Sequence, residues 1–204
     1  MVSIRNIYTI GHSTHELSAF LSLLTRHGIT AIADVRSDPF SRDPCYNHDS
    51  LAAALRRVGI EYMFLGRGLG ARREEHECYV DGQAVYERVA QLPLFREGIA
   101  RLIDGAEHHR ISLMCAEKEP LDCHRTILVC RNLRPYGLHI QHILSDGTLE
   151  EHSDAEKRLM RLMGMVPDLF RQDAEQLIEE AYEARGRQIA YRAATEEVAH
   201  ERVY

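Results

Sequence analysis

The sequence predicts an α/β protein: a mostly parallel sheet with helices on both faces, followed by a helical C-terminal extension. Three observations carry this. Short apolar runs alternate with segments of helical period. A chain of 204 residues, 45% of them hydrophobic, is long and apolar enough for one full core. The densest set of reactive side chains, Cys115 to Arg125, falls where an apolar run gives way to a helix start. Open α/β sheets place their ligand crevices at such turns.

The elements follow in order. Ile7 to Ile10 reads as a strand ended by Gly11-His12-Ser13-Thr14. Leu17, Phe20, Leu21 and Leu24 mark a helix, with Ser13 or Thr14 as expected N-cap and Gly28 as stop. Ala31 to Val35 is a second strand, and Ser37 to Asn47 a loop with two prolines. Leu51, Leu55 and Val58 give a helix capped by Asp49 or Ser50, and Tyr62 to Leu65 a third strand. Gly66 to Gly70 reads as a glycine-rich loop, without the spacing of a dinucleotide fingerprint. Ala71 to Gly82 is charged and aperiodic, as in a mobile flap. Phe95, Ile99, Leu102 and Ile103 form a helix, Ile111 to Met114 a strand, Cys123 to about Arg134 a helix and His139 to Leu144 a strand.

Residues 1–150 are thus the α/β domain, and 151–204 the extension. The extension holds a short helix around Leu159, Leu162 and Met163 before Pro167. A longer one starts at Ala174, Leu177, Ile178 and Ala181 and is expected to break near Gly186. It can pack on the body, cover the site or join two copies in a homodimer.

Charge and cysteine content narrow the class. The net charge is −6, and residues 151–204 carry 12 acids against 8 bases, so the body is nearly neutral. That disfavours broad nucleic-acid binding, which shows a basic face. No apolar run approaches the roughly 18–20 residues of a membrane span. The N-terminus has no signal-peptide pattern, so a cytoplasmic protein is expected. Five cysteines, Cys45, Cys78, Cys115, Cys123 and Cys130, are then buried, catalytic or metal-binding thiols rather than a disulfide framework. Cys130 fits a helix core; Cys45 and Cys78 lie in loops.

Parallel strands point the same way, so their C-terminal loops gather His12, Arg36, the Gly66 loop and Cys115 along one edge. Within R-I-S-L-M-C-A-E-K-E-P-L-D-C-H-R, Cys115 ends a strand and Asp122 is the expected N-cap of the next helix. Cys123, His124 and Arg125 then lie in its first turn, where the macrodipole lowers a thiol pKa. Glu117 can act as base, nucleophile or orienter of His124. Arg125 can pair with Asp34 or clamp an anion. Candidate catalytic residues are therefore Cys115, Glu117, Cys123, His124 and Arg125. Candidate substrate-binding residues are His12, Ser13, Asp34, Arg36, Arg42, Gly70 and Arg72. The Gly11–Thr14 turn can cradle a phosphate or carboxylate with its amides.

T-I-G-H-S at Thr9–Ser13, D-V-R-S-D-P at Asp34–Pro39, S-R at Ser41–Arg42, L-G-A-R at Leu69–Arg72 and C-A-E-x-x-P-x-x-C-H-R at Cys115–Arg125 resemble a widespread prokaryotic family, domain of unknown function number 488. The resemblance spans Ile7 to Asp146; Ala71 stands where the family usually has a glycine. It implies an α/β fold and a shared polar site, and supplies no settled reaction. A fainter likeness to rhodanese-type sulfurtransferases would make Cys115 the matching strand-end thiol, but the loop to Arg125 is longer and carries carboxylates.

Three functions compete. The first is an enzyme acting on a small anionic or nucleotide-like substrate, a transferase or hydrolase with Cys115 or Glu117 as nucleophile and His124 passing protons. The second is a metal-binding or thiol-redox protein, with zinc or iron at Cys115, Cys123, His124 and His12. Against it, C-x7-C-H is not a usual zinc-ribbon spacing, and adjacent side chains on a helix diverge. The third is a non-catalytic module binding nucleic acid or protein. No cofactor is required by the sequence.

Overall fold

The computed structural model describes residues 5–165 and 173–193. Strands β1 (Asn6–Gly11), β2 (Ala31–Asp34), β3 (Glu61–Phe64), β6 (Ile111–Cys115), β7 (His139–Ile143) and β8 (Leu149–Glu151) form one sheet in the order β3-β2-β6-β1-β7-β8. The first five pair in parallel, and β8 runs antiparallel to β7. A separate hairpin joins β4 (Tyr79–Val80) to β5 (Gln83–Ala84). The predicted fold class holds, and the predicted main strands lie within one residue of their observed ends.

Strand parity sorts the core into two layers. Tyr8, Ile10, Ile32 and Met114 face helices α1 (Leu17–Arg26) and α2 (His48–Arg57), packing on Phe20, Leu24, Leu51 and Leu55. Ile7, Ala31, Ala33, Ile111, Leu113 and Cys115 face the other way. There they meet α5 (Pro93–Gly105), the helix from Arg125 and the C-terminal helix α8 (Ala174–Ile189). From β1 the chain moves toward one sheet edge through β2 to β3. It then returns through β6 and β7, so right-handed crossovers put the two helix sets on opposite faces.

Several local expectations are corrected. Helix α1 begins after Glu16 with no side-chain cap, because Ser13 sits at φ +44 in a tight turn upstream. Helix α2 begins after Asn47, not at Asp49 or Ser50; the Asn47 side chain instead accepts from the Ser41 amide. Gly66–Leu69 is a one-turn helix, α3. Gly66 is needed there: a Cβ would lie 1.8 Å from the Arg36 carbonyl oxygen. The charged segment after Ala71 folds into a 3-10 turn at His76–Cys78, with Cys78 buried, and then the hairpin. The chain from Arg125 to Cys130 is a π-helix, followed by short α6 (Arg131–Leu133) and a 3-10 turn. All six π-helical residues are buried, so no amphipathic period was there to read.

Between α3 and α5 lies the one-turn α4 (Tyr86–Val89). Helix α7 (His152–Leu162) covers the predicted Leu159 segment; Pro167 lies outside the described residues. Helix α8 runs unbroken past Gly186, whose missing side chain admits the Tyr86 ring: a Cβ would lie 3.3 Å from it. No helix among the described residues is long and apolar enough to cross a membrane.

A buried chain of hydrogen bonds ties the extension to the sheet. Thr9 Oγ1 and His142 Nδ1 are 2.8 Å apart, His142 Nε2 and His152 Nδ1 3.0 Å, and His152 Nε2 and the Tyr182 hydroxyl 3.0 Å. Tyr182 donates to Glu156 at 3.0 Å, and Arg134 holds that carboxylate at 2.7 Å. With both imidazoles neutral, every bond can be satisfied in one direction, from Thr9 to Glu156. Burial and the neighbouring Arg134 charge lower His152 to about 4, and burial with His152 nearby lowers His142 well below its usual value.

The neutral pair stabilises the fold fully above pH 6.5, and this is lost as pH falls toward the folded His152 value of about 4, because the unfolded chain protonates first. Urea unfolding midpoints should drop across that window. In His152→Gln, stability at pH 7 should be lower and the decline shallower, His142 supplying the remainder. Parallel declines in the two proteins would reject this role.

Candidate functional site

The site grows from three neighbouring strand ends. Gly11 lies in register with Cys115, and Asp34 with Met114. The pairing continues past the strands. The His12 amide donates to the Cys115 carbonyl and the Ser13 amide to the Ala116 carbonyl, both at 2.9 Å. Those amides are therefore spent, and the expected phosphate cradle at Gly11–Thr14 is not formed by them. Gly11 admits the loop from the next strand: a Cβ there would lie 1.9 Å from the Glu117 carbonyl oxygen.

The loop after Cys115 turns through a 3-10 segment, Pro120–Asp122, capped by Glu119, whose Oε1 accepts from the Leu121 amide at 3.1 Å. Asp122 is not the helix N-cap; it ends this turn and pairs with Arg185 of α8. Cys123 takes the capping place. Its backbone is extended (φ −130, ψ 139), and its carbonyl accepts from the amides of Thr126 and Ile127 at 3.1 Å. Its Sγ accepts from the Arg125 amide at 3.4 Å. Because Cys123 precedes the helix, its side chain and that of His124 converge rather than diverge.

Four groups meet there. Cys115 Sγ lies 3.7 Å and Cys123 Sγ 3.9 Å from His124 Nδ1, and Cys123 Sγ lies 3.0 Å from Glu117 Oε2. One donor atom from each of the four falls within 4.8 Å of the others. His124 Nε2 sits 2.9 Å from the Val35 carbonyl, so that nitrogen carries hydrogen and Nδ1 faces the sulfurs. Cys115, Cys123 and His124 are buried; Glu117 is open to solvent.

Charge is unevenly shared. A hydrogen bond to Cys123 and burial hold the Cys115 proton on, well above the usual thiol range. Burial works against ionising Cys123, but the Cys115 bond, the Arg125 charge and His124 outweigh it and hold it well below that range. Desolvation and the Cys123 charge raise Glu117. For His124, burial opposes protonation, and the Cys123 bond and charge prevail to raise it.

Arg125 is fully buried and does not meet Asp34 or the solvent. Its Nη1 donates to the Glu117 carbonyl at 2.7 Å and its Nη2 to the Lys118 carbonyl at 3.3 Å, so it braces the loop from inside. Asp34 pairs instead with Arg36, at 2.6 Å from Nη2, and accepts the Tyr62 hydroxyl at 2.7 Å. Arg36 also donates to the Tyr46 carbonyl at 2.9 Å, and its buried Nη1 has no hydrogen-bond partner among the described residues.

A cavity of about 330 Å³ opens over this cluster, with Cys115, Glu117 and His124 on its floor and Arg36, Ser37 and Arg72 on one wall. Phe40, 69% exposed, and Tyr191 also line it. The Arg72 amide donates to Ser37 Oγ at 2.8 Å, and its guanidinium lies 4.8 Å over the Tyr191 ring. Gly70 packs against Ser37 beneath that wall. Arg42 is exposed and outside the lining. His12 stacks on Tyr46 at 4.3 Å, buried behind the site, and is not among the four converging groups. Ser37 belongs to the D-V-R-S-D-P motif without a residue type that marks it as a site residue, while Phe40 and Tyr191 lie in no recognisable motif; Tyr191 arrives from the extension, far along the chain.

Replacing Arg125 by Met should lower the unfolding free energy by at least about 2 kcal/mol, because two loop carbonyls lose their buried partner. Arg42→Ala should stay within about 0.5 kcal/mol of the parent. Equal effects in chemical denaturation would overturn the bracing role.

A sequence profile matches residues 16–131, more than half of the chain, and is described as Domain of unknown function DUF488. The match starts after the Thr9–Ser13 motif and includes all of Cys115–Arg125. No curated protein and no solved structure matches the chain, and the rhodanese likeness finds no support. The chain belongs to the DUF488 family.

Proposed function

We propose that the protein is an enzyme acting on a small molecule with an anionic group, bound in the cavity over Cys115. The observation that carries this reading is the convergence of two thiols, a carboxyl group and an imidazole, three of which, Cys115, Glu117 and His124, line the cavity. Such a set is costly to assemble for stability alone, since buried polar groups need partners.

Glu117 is the acid–base group. Its position between solvent and buried Cys123 lets it carry a proton in either direction, and its raised pKa suits that task. Cys115, Cys123 and His124 form the reactive centre beneath it. Arg36 Nη1 and the Arg72 guanidinium orient the anionic end, while Phe40 and Tyr191 offer faces to a planar group, as in a nucleotide-like ligand. Only part of the expected cationic set supports this: Arg125 braces the loop, Arg42 lies outside, and most of Arg36 is committed to Asp34. The apolar residues Leu177, Ala181 and Tyr182 of α8 are buried on the chain's own body, so a homodimer through that face forms no part of this reading.

Turnover is screened over phosphorylated, carboxylated and nucleotide substrates by mass spectrometry. Glu117→Gln should lower kcat about 10²–10⁴-fold, Arg72→Ala should raise KM with little change in kcat, and Arg42→Ala should change neither. Full activity in both Glu117→Gln and Cys115→Ser would sink the proposal.

A further inference from the structure

We infer that Cys115, Cys123 and His124 bind a zinc-class divalent cation, with Glu117 at an exchangeable fourth position. The inference rests on reading this cluster as the reactive centre and names what that centre holds.

Geometry is the first support. A tetrahedral zinc ion takes thiolates at about 2.3 Å and imidazole at about 2.0–2.1 Å, which sets neighbouring donor atoms roughly 3.5 Å apart. The two sulfurs lie 3.7 and 3.9 Å from His124 Nδ1, within a few tenths of an ångström of that spacing. The shorter 3.0 Å separation of Cys123 and Glu117 is that of a shared proton, which a cation would displace. A residue on the solvent side can move outward to make that room.

The imidazole is set up as a ligand. Ligating histidines donate their second nitrogen to a carbonyl or carboxylate, which fixes the ring and leaves the other lone pair for the metal. His124 does this with the Val35 carbonyl at 2.9 Å, and its free nitrogen faces both sulfurs. The frame is also rigid: Cys115 ends a central strand, Cys123 and His124 open a buried helix, and Arg125 holds the intervening loop.

Donor chemistry selects the ion. Two thiolates and an imidazole favour zinc over hard cations such as magnesium or calcium. Two thiolates and a carboxylate also balance a dication and the buried Arg125 guanidinium, so the loaded site is neutral. Three buried ligands with one solvent-facing position is the arrangement of a catalytic rather than a purely structural zinc site. When water or substrate takes the fourth position, Glu117 is left beside it as the base.

The full chain, purified without chelator, is assayed for metal content and titrated with Zn²⁺ and with Co²⁺. One equivalent per chain is expected, with sulfur-to-cobalt charge-transfer bands and the strong visible bands of a tetrahedral site. Cys115→Ser, Cys123→Ser and His124→Gln should each weaken Co²⁺ binding more than tenfold. Glu117→Gln should retain the equivalent with shifted visible bands, and Cys45→Ser should match the parent.

X-ray absorption on the zinc-loaded parent needs no variant and should show two sulfurs at about 2.3 Å. Binding well below one equivalent at saturating Co²⁺, or a bound ion without sulfur neighbours, would overturn the inference. An active chain that binds no metal rejects the metal site alone. A chain that binds one equivalent and turns over none of the panel keeps the site and rejects the enzymatic reading.

Discussion

The buried guanidinium of Arg125 is the interaction on which the site depends. Taking a guanidinium out of water costs several kcal/mol. Its bonds to the Glu117 and Lys118 carbonyls recover part of this, at about 1.5–3 kcal/mol each. The remainder comes from negative charge nearby, and the adjacent Cys123 sulfur supplies it. The same residue therefore shapes the loop and favours the thiolate. A neutral side chain of similar size could fill the space but would do neither.

That brace works because strand ends and helix starts are held in fixed relation. The pairing of β1 with β6 carries two residues beyond Gly11, through the His12 and Ser13 amides. The loop after Cys115 crosses Gly11 so closely that no Cβ fits. Cys115 is thereby fixed by the sheet, and Cys123 and His124 by the helix behind it. The C-terminal extension closes the arrangement through Arg185 on Asp122 and through Tyr191 at the cavity wall. A second polar chain, from Thr9 through His142 and His152 to Tyr182, anchors that extension to the sheet. That chain uses buried polar groups that are satisfied only when distant segments meet, whereas Arg125 finds its carbonyls within the adjoining loop.

Much of the fold was legible from local pattern. Apolar runs at Ile7, Ala31, Ile111 and His139 were strands, and the helical periods at Leu17, Leu51 and Phe95 were helices. The run Ile111 to Met114 also placed Cys115 at a strand end. The misreadings share a cause. Asp122 and Ser13 have the residue type of a helix cap, but cap geometry depends on backbone angles that neighbours impose. Gly186 has the residue type of a helix breaker, yet it serves the approach of Tyr86 from another helix.

The sequence by itself determined the sheet, its parallel sense and the edge where reactive side chains collect, because those follow from short-range periodicity and the handedness of crossovers. It also placed Cys115, Glu117, Cys123 and His124 in one short segment. Tertiary structure decided what each does there. Arg125 turns inward because its partners are carbonyls that only the folded loop presents. Arg36 is taken by Asp34, Arg42 is left outside, and His12 stacks behind on Tyr46. Tyr191 reaches the cavity from the far end of the chain. The places of His12 and Tyr191 depend on contacts between residues remote in sequence, and those of Arg36 and Arg125 on the path the folded backbone takes between near neighbours; periodicity and residue type encode neither.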